Sequence, residues 1–273
     1  MKRTVFFISD HTGLTAEAMG RALLSQFDGL EYDTVHWPFL DSREKAERAV
    51  RKINRSAVAD GMRPLVFSSF VDREIRLRLQ ESSGLVFDFF ATYTATLEQE
   101  LQMAPSSVRG RFHGMGKRSL YDERIRAVNF ALANDDGTLI RNYDAADLIL
   151  VGVSRSGKTP TCLYLGLQFG ILAANYPITE GDLERNAASH SFLQHQEKLF
   201  GLTIDPIQLQ RIRKERRPGG RYSRLDQCKW EVREAEALLQ CHAIPYIDTT
   251  SMSVEEISAT ILQRTGLESR IGR

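Results

Sequence analysis

Residues 147–170 read DLILVGVSRSGKTPTCLYLGLQFG, and this glycine-rich segment decides the fold. The unbroken apolar run at 148–151 predicts a strand that is buried on both faces. Residues 152–159 then match the pattern G-x-x-x-x-G-K-[ST], and an apolar stretch long enough for a helix follows. A strand, a glycine-rich loop and a helix in this order are typical of a phosphate site, because loop N–H groups and the positive end of the helix converge on phosphate oxygens.

The loop residues have distinct expected roles in holding a di- or triphosphate. We expect Lys158 to neutralise the outer phosphate and the hydroxyl of Thr159 to help bind Mg²⁺. Arg155 would add a charge-assisted contact to the same oxygens. The predicted nucleotide-binding residues are Gly152, Val153, Ser154, Arg155, Ser156, Gly157, Lys158 and Thr159.

Apolar runs and helical patterns alternate through the first hundred residues. Predicted strands at 5–8, 33–37, 65–70 and 85–89 are each followed by a predicted helix. This alternation predicts an α/β fold with mainly parallel β-sheets flanked by helices. For the first helix, the pattern predicts an inward face made of Ala18, Met19, Ala22, Leu23 and Phe27.

The segment at 105–118 interrupts the alternation and is rich in glycine and basic residues. It lacks apolar periodicity, so we predict a linker there. The predicted organisation is therefore an N-terminal α/β domain at 1–104 and a nucleotide-binding, kinase-like domain at 119–273.

Composition excludes several classes of protein. The 273 residues are 42% hydrophobic and 26% charged with a net charge of +1, so no overall field favours nucleic acid or a membrane. The three cysteines, Cys162, Cys228 and Cys241, show no C-x-x-C spacing, which favours reduced thiols and a cytoplasmic location. We expect no membrane span and no nucleic-acid partner, and the sequence leaves the oligomeric state open, a homo-oligomer included.

Four aspartates stand next to predicted strands, and in parallel sheets ligands bind at the carboxyl ends of the strands. Asp205 and Asp248 follow strands and are candidates for a catalytic base or a metal ligand, with helix capping as the alternative. Asp147 opens its strand and should lie at the opposite edge. Asp10, with Thr12 and Gly13, reads either as a helix start or as a second polar site.

The most basic stretch runs from residue 211 to residue 224. Such a run is usually a solvated helix face. Near a phosphate site, it could instead bind a second anion or a phosphorylated partner. Its few aromatic residues count against binding of single-stranded nucleic acid.

Several motifs resemble one known family in the same order along the chain. They are SDHTGLTAE at 9–17, the stretch 124–137 that ends in NDDG, GVSRSGKTPT at 152–161, AANYP at 173–177, GLTIDP at 201–206 and IDTT at 247–250. Together they resemble the bacterial regulatory proteins of phosphoenolpyruvate synthase and of pyruvate, phosphate dikinase, and the similarity extends over about residues 5–262.

The resemblance implies a bifunctional enzyme. One activity would transfer the β-phosphate of ADP to a threonine of phosphoenolpyruvate synthase and inactivate it. The other would use inorganic phosphate to remove that group, release pyrophosphate and restore activity. It also implies that residues 152–159 bind ADP. Within this framework, Lys158 is the expected catalytic cation, and Asp10, Asp205 and Asp248 are the ordered candidates for the base.

Two other functional classes fit the same phosphate site. One is a small-molecule kinase, and the other is a nucleotide-gated regulator that performs no chemistry. A nucleic-acid regulator is a third alternative that rests only on the basic stretch.

Overall fold

The computed structural model describes residues 2–106, 118–135, 140–184 and 191–271. The chain divides into two compact units, Met1–Gly116 and Lys117–Arg273. Residues 107–117 of the predicted linker lie outside the described residues, so the linker stays a prediction.

The N-terminal unit alternates strands and helices as the sequence pattern predicts. Its elements are β1 (Arg3–Ser9), α1 (Leu14–Leu24), β2 (Tyr32–Trp37), α2 (Arg43–Asp60), β3 (Leu65–Ser69), α3 (Arg73–Gln80), β4 (Leu85–Asp88) and α4 (Phe89–Leu101).

The C-terminal unit repeats the alternation around the glycine-rich segment. Its elements are α5 (Arg118–Ala133), β5 (Leu148–Val153), α6 (Lys158–Phe169), β6 (Ala173–Ile178), α7 (Glu180–Leu183), β7 (Leu199–Thr203), α8 (Pro206–Arg216), α9 (Leu225–Cys241), β8 (Tyr246–Asp248) and α10 (Val254–Thr265), with short 3₁₀ helices at Ile140–Ala145, Ser191–Lys198 and Arg221–Ser223.

Each unit contains a four-stranded sheet in which every pair of neighbouring strands is parallel. The strand order is β2-β1-β3-β4 in the first sheet and β6-β5-β7-β8 in the second. The α/β prediction is therefore confirmed. In both sheets the first strand lies inside, so its carboxyl end opens at the point where the strand order reverses, which is where such folds bind ligands.

Alternate residues of the central strands supply the cores on the two faces of each sheet. In β5, Ile149 and Val151 pack toward α8 and α9, whereas Leu148 and Leu150 pack toward α6 and α10. β1 divides in the same way between two apolar clusters. Burial on both faces explains why these strands read as continuous apolar runs.

The predicted inward face of α1 is wrong. The five residues assigned to it are all exposed, and the helix instead buries Ala16, Gly20 and Leu24. Gly20 lies directly against the sheet, since a Cβ there would be 2.7 Å from ring carbons of Phe7 and Phe67. A glycine carries no apolar signal, so the close approach of helix and sheet was not visible in the pattern.

Helix boundaries are set by local caps. The Ser253 side chain accepts a hydrogen bond from the backbone N–H of Glu256, and the Glu256 side chain accepts one from Ser253 in return, forming a capping box at the start of α10. Among the described residues, the helices are too short or too polar to cross a bilayer.

Candidate phosphate-binding site

Residues 152–159, called the glycine loop from here on, connect β5 to α6 at the central position of the second sheet. Gly152 is required by a close backbone approach, because a Cβ there would lie 2.2 Å from the carbonyl oxygen of Leu202. Gly157 has a φ of 93° and precedes α6, a left-handed conformation that glycine adopts without strain. The two glycines therefore allow the chain to turn sharply from strand to helix.

The loop presents backbone donors that nothing in the described chain satisfies. The N–H groups of Ser154, Arg155 and Gly157 have no hydrogen-bond partner among the residues that the structure describes. The first N–H groups of a helix also lack intrahelical partners, and they add the positive end of the α6 dipole. A set of converging unpaired donors is the arrangement that binds phosphate.

Lys158 is held against the loop. Its side chain is 5% exposed, and Nζ donates a hydrogen bond of 2.9 Å to the carbonyl oxygen of Val153. A buried ammonium group is poorly hydrated, so its attraction for an anion in the loop is less screened than it would be at the surface. The structure thus holds the positive charge of Lys158 at the glycine loop, as the motif predicts.

Thr159 belongs to a polar cluster that the sequence reasoning did not identify. Its hydroxyl donates a hydrogen bond of 2.8 Å to Asp135 and accepts one of 3.2 Å from the amide of Asn175. Asn175 also donates to the Asp135 carboxylate. Asn175 is buried at 2% exposure in the middle of β6, where an amide requires polar partners.

Both missed residues lie in stretches of sequence that had already been singled out. Asp135 lies in the NDDG motif at 134–137, and Asn175 lies in the AANYP motif at 173–177. A buried polar residue inside an otherwise apolar strand is an informative anomaly, and it could have signalled the cluster.

The carboxylate also influences the neighbouring thiol. Burial raises the pKa of Cys162 well above its usual range, and the negative charge of Asp135 raises it further. Cys162 is therefore a neutral thiol, and its Sγ lies 3.4 Å from the carbonyl oxygen of Ala174. Its position argues for a packing role rather than a nucleophilic one.

The cluster also fits a divalent cation. Mg²⁺ prefers oxygen ligands, usually one or two carboxylates together with substrate phosphates and water. Thr159 and Asp135 place a hydroxyl and a carboxylate oxygen side by side at the start of α6. In the described chain, the Thr159 hydroxyl would hold Mg²⁺ beside a bound diphosphate, with the Asp135 carboxylate next to it.

The two strand-end candidates, Asp205 and Asp248, are occupied with local backbone groups. Asp205 caps α8 by accepting hydrogen bonds of 2.9 and 3.0 Å from the N–H groups of Ile207 and Gln208. Asp248 accepts a hydrogen bond of 2.8 Å from the N–H of Thr250 and another from its hydroxyl. The capping alternative thus describes what Asp205 does in this structure.

Asp147 and Asp10 also accept hydrogen bonds from backbone groups. Asp147 precedes β5, accepts a hydrogen bond of 2.8 Å from the N–H of Leu172 and pairs with Arg270. Asp10 belongs to the N-terminal unit and accepts hydrogen bonds of 2.9 and 3.4 Å from the N–H groups of Val71 and Asp72.

The basic stretch at 211–224 divides into exposed and buried cations. Arg211, Lys214, Arg216 and Arg217 are exposed, as expected for a solvated helix face. Arg213 is completely buried on the same helix and pairs with Glu231 at 2.6 Å. Burial alone would lower the pKa of Arg213, but the hydrogen bond and charge of Glu231 raise it, so the side chain stays charged.

Comparison with known proteins agrees with the motifs. A family model described as Kinase/pyrophosphorylase matches residues 5–262. Relatives named "Putative phosphoenolpyruvate synthase regulatory protein" include one from Pseudomonas aeruginosa (strain LESB58), 53% identical over 99% of this chain and 98% of the relative. Another, from Pseudomonas fluorescens (strain Pf0-1), is 54% identical over 99% of both chains. A third, from Marinobacter nauticus, is 53% identical over 98% of this chain and 99% of the relative. The chain therefore belongs to the kinase/pyrophosphorylase family.

Proposed function

We propose that this protein is a bifunctional regulator of phosphoenolpyruvate synthase. In one direction it transfers the β-phosphate of ADP to a threonine of the synthase. In the other it transfers that phosphate from the threonine to inorganic phosphate and releases pyrophosphate. The synthase is proposed as the target because relatives covering almost the whole chain carry its name.

One observation carries the chemical part of the proposal. The glycine loop combines unpaired N–H groups with the buried Lys158, and a carboxylate, Asp135, lies within hydrogen-bonding distance of the loop residue Thr159. Phosphoryl transfer requires charge neutralisation and positioning more than covalent participation by the protein. A diphosphate cradle with an adjacent proton acceptor meets both requirements.

In the kinase direction, the loop N–H groups and Lys158 bind the phosphates of ADP. The threonine oxygen forms a bond to the β-phosphorus as the bond to the bridging oxygen breaks, giving phosphothreonine and AMP. The threonine hydroxyl loses one proton in this step. We assign Asp135 as the proton acceptor because, among the described carboxylates, it is the one that hydrogen-bonds to a loop residue, whereas Asp205 and Asp248 bind local backbone groups.

In the reverse direction, inorganic phosphate occupies part of the same cradle. One of its oxygens forms a bond to the phosphorus of phosphothreonine, and the bond from that phosphorus to the threonine oxygen breaks. The products are pyrophosphate and the free threonine, whose oxygen takes the proton carried by the incoming phosphate. Because ADP and pyrophosphate are both diphosphates, one set of donors serves both reactions.

Magnesium is expected as the cofactor. The Thr159 hydroxyl would hold it, and when bound it would neutralise negative charge on the phosphate oxygens.

The test is incubation of the protein with Mg²⁺, purified phosphoenolpyruvate synthase and ADP labelled in the β-phosphate. Mass mapping should find the label on one threonine, and AMP should form in equal amount. Adding unlabelled inorganic phosphate after removal of ADP should then release labelled pyrophosphate. The Lys158→Ala variant serves as the inactive control.

Each alternative outcome has a definite meaning. Tight binding of ADP without transfer to the synthase would favour a non-catalytic nucleotide-gated regulator. Transfer to a metabolite in a broad phosphorylation screen, with none to the synthase, would favour a small-molecule kinase.

A further inference from the structure

The N–H groups of Ser154, Arg155 and Gly157, which have no partner among the described residues, share one structural feature: the carbonyl of each peptide is hydrogen-bonded. In a trans peptide, the C=O and N–H groups point in opposite directions, and this chain contains no cis peptide bonds in its described part. The peptides that carry the N–H groups of Ser154, Arg155 and Gly157 have the carbonyls of Val153, Ser154 and Ser156. Each of these carbonyls accepts a hydrogen bond from a side chain.

Two of the three side chains come from outside the motif. Lys158 binds the Val153 carbonyl, but Arg213 in α8 and Thr249 after β8 bind the other two. The amino-acid pattern of the loop contains no information about these contacts.

The buried side chain of Arg213 is held in place by several hydrogen bonds. Its Nη2 donates to the carbonyl of Ser154 at 3.2 Å, and its Nη1 donates to the carbonyl of Tyr222 at 3.1 Å. Glu231 balances the charge at 2.6 Å. The hydroxyl groups of Tyr222 and Ser154 are 3.1 Å apart, so this part of the protein contacts the same loop residue twice.

Thr249 makes the equivalent contact with the carbonyl of Ser156. Its hydroxyl lies 3.1 Å from the carbonyl of Ser156 and 2.9 Å from that of Thr203. A hydroxyl has only one proton to donate. Since the Thr203 carbonyl already accepts the backbone N–H of Thr249 at 2.9 Å, the Ser156 carbonyl is the acceptor left without another donor among the described residues.

We propose that Arg213 and Thr249 are positioning residues that orient the Arg155 and Gly157 N–H groups toward a bound phosphate. Neither side chain contacts the phosphate itself. They hold the carbonyl ends of two peptides, and the N–H ends consequently face the opposite side, preorganised for the anion. This inference rests on the proposed function, because it requires the loop to bind a diphosphate.

Thr249 gives the sharper test, since one hydroxyl can be removed and restored. The variants are Thr249→Val and Thr249→Ser, and the matched control is Thr260→Val, which removes a hydroxyl that donates at 2.7 Å to the carbonyl of Glu256 in α10. Binding of MgADP and of magnesium pyrophosphate is measured by titration calorimetry well below the melting temperature. We expect the Kd of Thr249→Val to rise roughly 3- to 10-fold, the effect of one hydrogen bond. Thr249→Ser and Thr260→Val should stay within about twofold of the wild type.

Arg213 is tested with Arg213→Met and Arg213→Lys, with the exposed Arg211→Met on the same helix as the control. A lysine keeps a charged donor but lacks the second nitrogen with which Arg213 also binds Tyr222, so its Kd should lie between those of the wild type and Arg213→Met. For Arg213→Met we expect a rise of at least about tenfold, because a charged donor is lost. If Arg213→Met fails to fold, Arg213→Lys and the Thr249 pair decide the question.

The outcomes separate the two levels of the argument. If the wild type binds both diphosphates and a folded Thr249→Val or Arg213→Met binds them equally well, the positioning role is overturned and the proposed function stands. If the wild type binds neither diphosphate, both are overturned. Loss of thermal stability with unchanged Kd would mean that the two side chains serve only the fold.

Discussion

The Thr159 hydroxyl donates a hydrogen bond of 2.8 Å to the Asp135 carboxylate. Asp135 lies just after α5, and Thr159 lies 24 residues later in the first turn of α6. Asn175 contacts both and fixes the carboxylate beside the glycine loop. A proton acceptor and a hydroxyl ligand therefore lie together where a diphosphate would end.

Replacement of Asp135 tests its assignment as the base. We expect Asp135→Asn to lower the rate of threonine phosphorylation by about 100-fold or more, the usual contribution of a general base. Binding of ADP should survive, because the loop donors remain. Single-turnover kinetics with labelled ADP would measure the rate, and calorimetry the binding.

The other aspartates provide matched comparisons. Asp147→Asn should leave turnover nearly unchanged, since its carboxylate pairs with Arg270 at the start of β5. Asp205→Asn keeps an oxygen that can cap α8. A large loss in Asp205→Asn or Asp248→Asn, together with normal rates in Asp135→Asn, would move the base to a strand end.

Lys158 tests whether one cradle serves both reactions. We predict that Lys158→Ala lowers both the kinase and the pyrophosphate-forming activity by about two orders of magnitude, the scale of losing one preorganised stabilising group. Lys214→Ala removes an exposed cation from α8 and should have little effect on either rate. A variant that keeps one of the two activities at the normal rate would contradict a shared cradle.

Gly152 tests the close approach of the loop to β7. A methyl group at this position would lie 2.2 Å from a backbone oxygen, so Gly152→Ala must displace the loop or the strand. We expect a loss of about 1–3 kcal/mol in the free energy of unfolding, as in overpacked cores, together with weaker binding of ADP. Gly181→Ala is the control, because the nearest atom to its added Cβ is 3.9 Å away. Wild-type stability in Gly152→Ala would show that the loop adapts without cost.

Asp88 predicts a pH dependence in the N-terminal unit. Burial raises the pKa of its carboxyl above the ordinary value of 3.8, although hydrogen bonds from Ala91 and Phe90 and the charge of Arg76 oppose this. The folded unit therefore holds the proton more tightly than the unfolded chain does. Stability from this group is complete below about pH 3.8 and is lost as the pH rises through the folded-state pKa.

Asp88→Asn removes the titration and keeps a side chain that can cap α4. Relative to the wild type, the variant should gain stability as the pH increases from 3.5 to 7. Denaturant unfolding in a Trp230→Phe background measures this, because Trp37 then reports on the N-terminal unit alone. A stability difference that stays constant with pH would contradict the raised pKa.

The sequence predicted those features of the fold that depend on local pattern. The apolar run at 148–151 predicted a strand buried on both faces, and the alternation of apolar runs with helical patterns predicted parallel sheets. The inward face of α1 was wrong because Gly20, which packs closest to the sheet, has no side chain to reveal it. The apolar pattern therefore could not show that a residue without a side chain makes the closest contact between the helix and the sheet.

In the candidate site, too, the sequence predicted the residues that form a local motif and missed those brought in from other segments. The glycine loop follows directly from its motif, because the required glycines and the lysine are adjacent in sequence. Asp135, Asn175, Arg213 and Thr249 reach the loop from four other segments, so only the folded chain brings them together.

The identical strand order of the two sheets has a consequence for how the halves differ. In each sheet taken by itself, the segment after the first strand, β1 or β5, lies at the point where the strand order reverses. In the N-terminal unit, this segment carries Asp10, whose carboxylate accepts hydrogen bonds from the N–H groups of Val71 and Asp72 just before α3. In the C-terminal unit, the segment after β5 instead presents the N–H groups of Ser154, Arg155 and Gly157, which have no hydrogen-bond partner among the described residues. The same strand order therefore places a carboxylate after the first strand of one sheet and backbone donors after the first strand of the other.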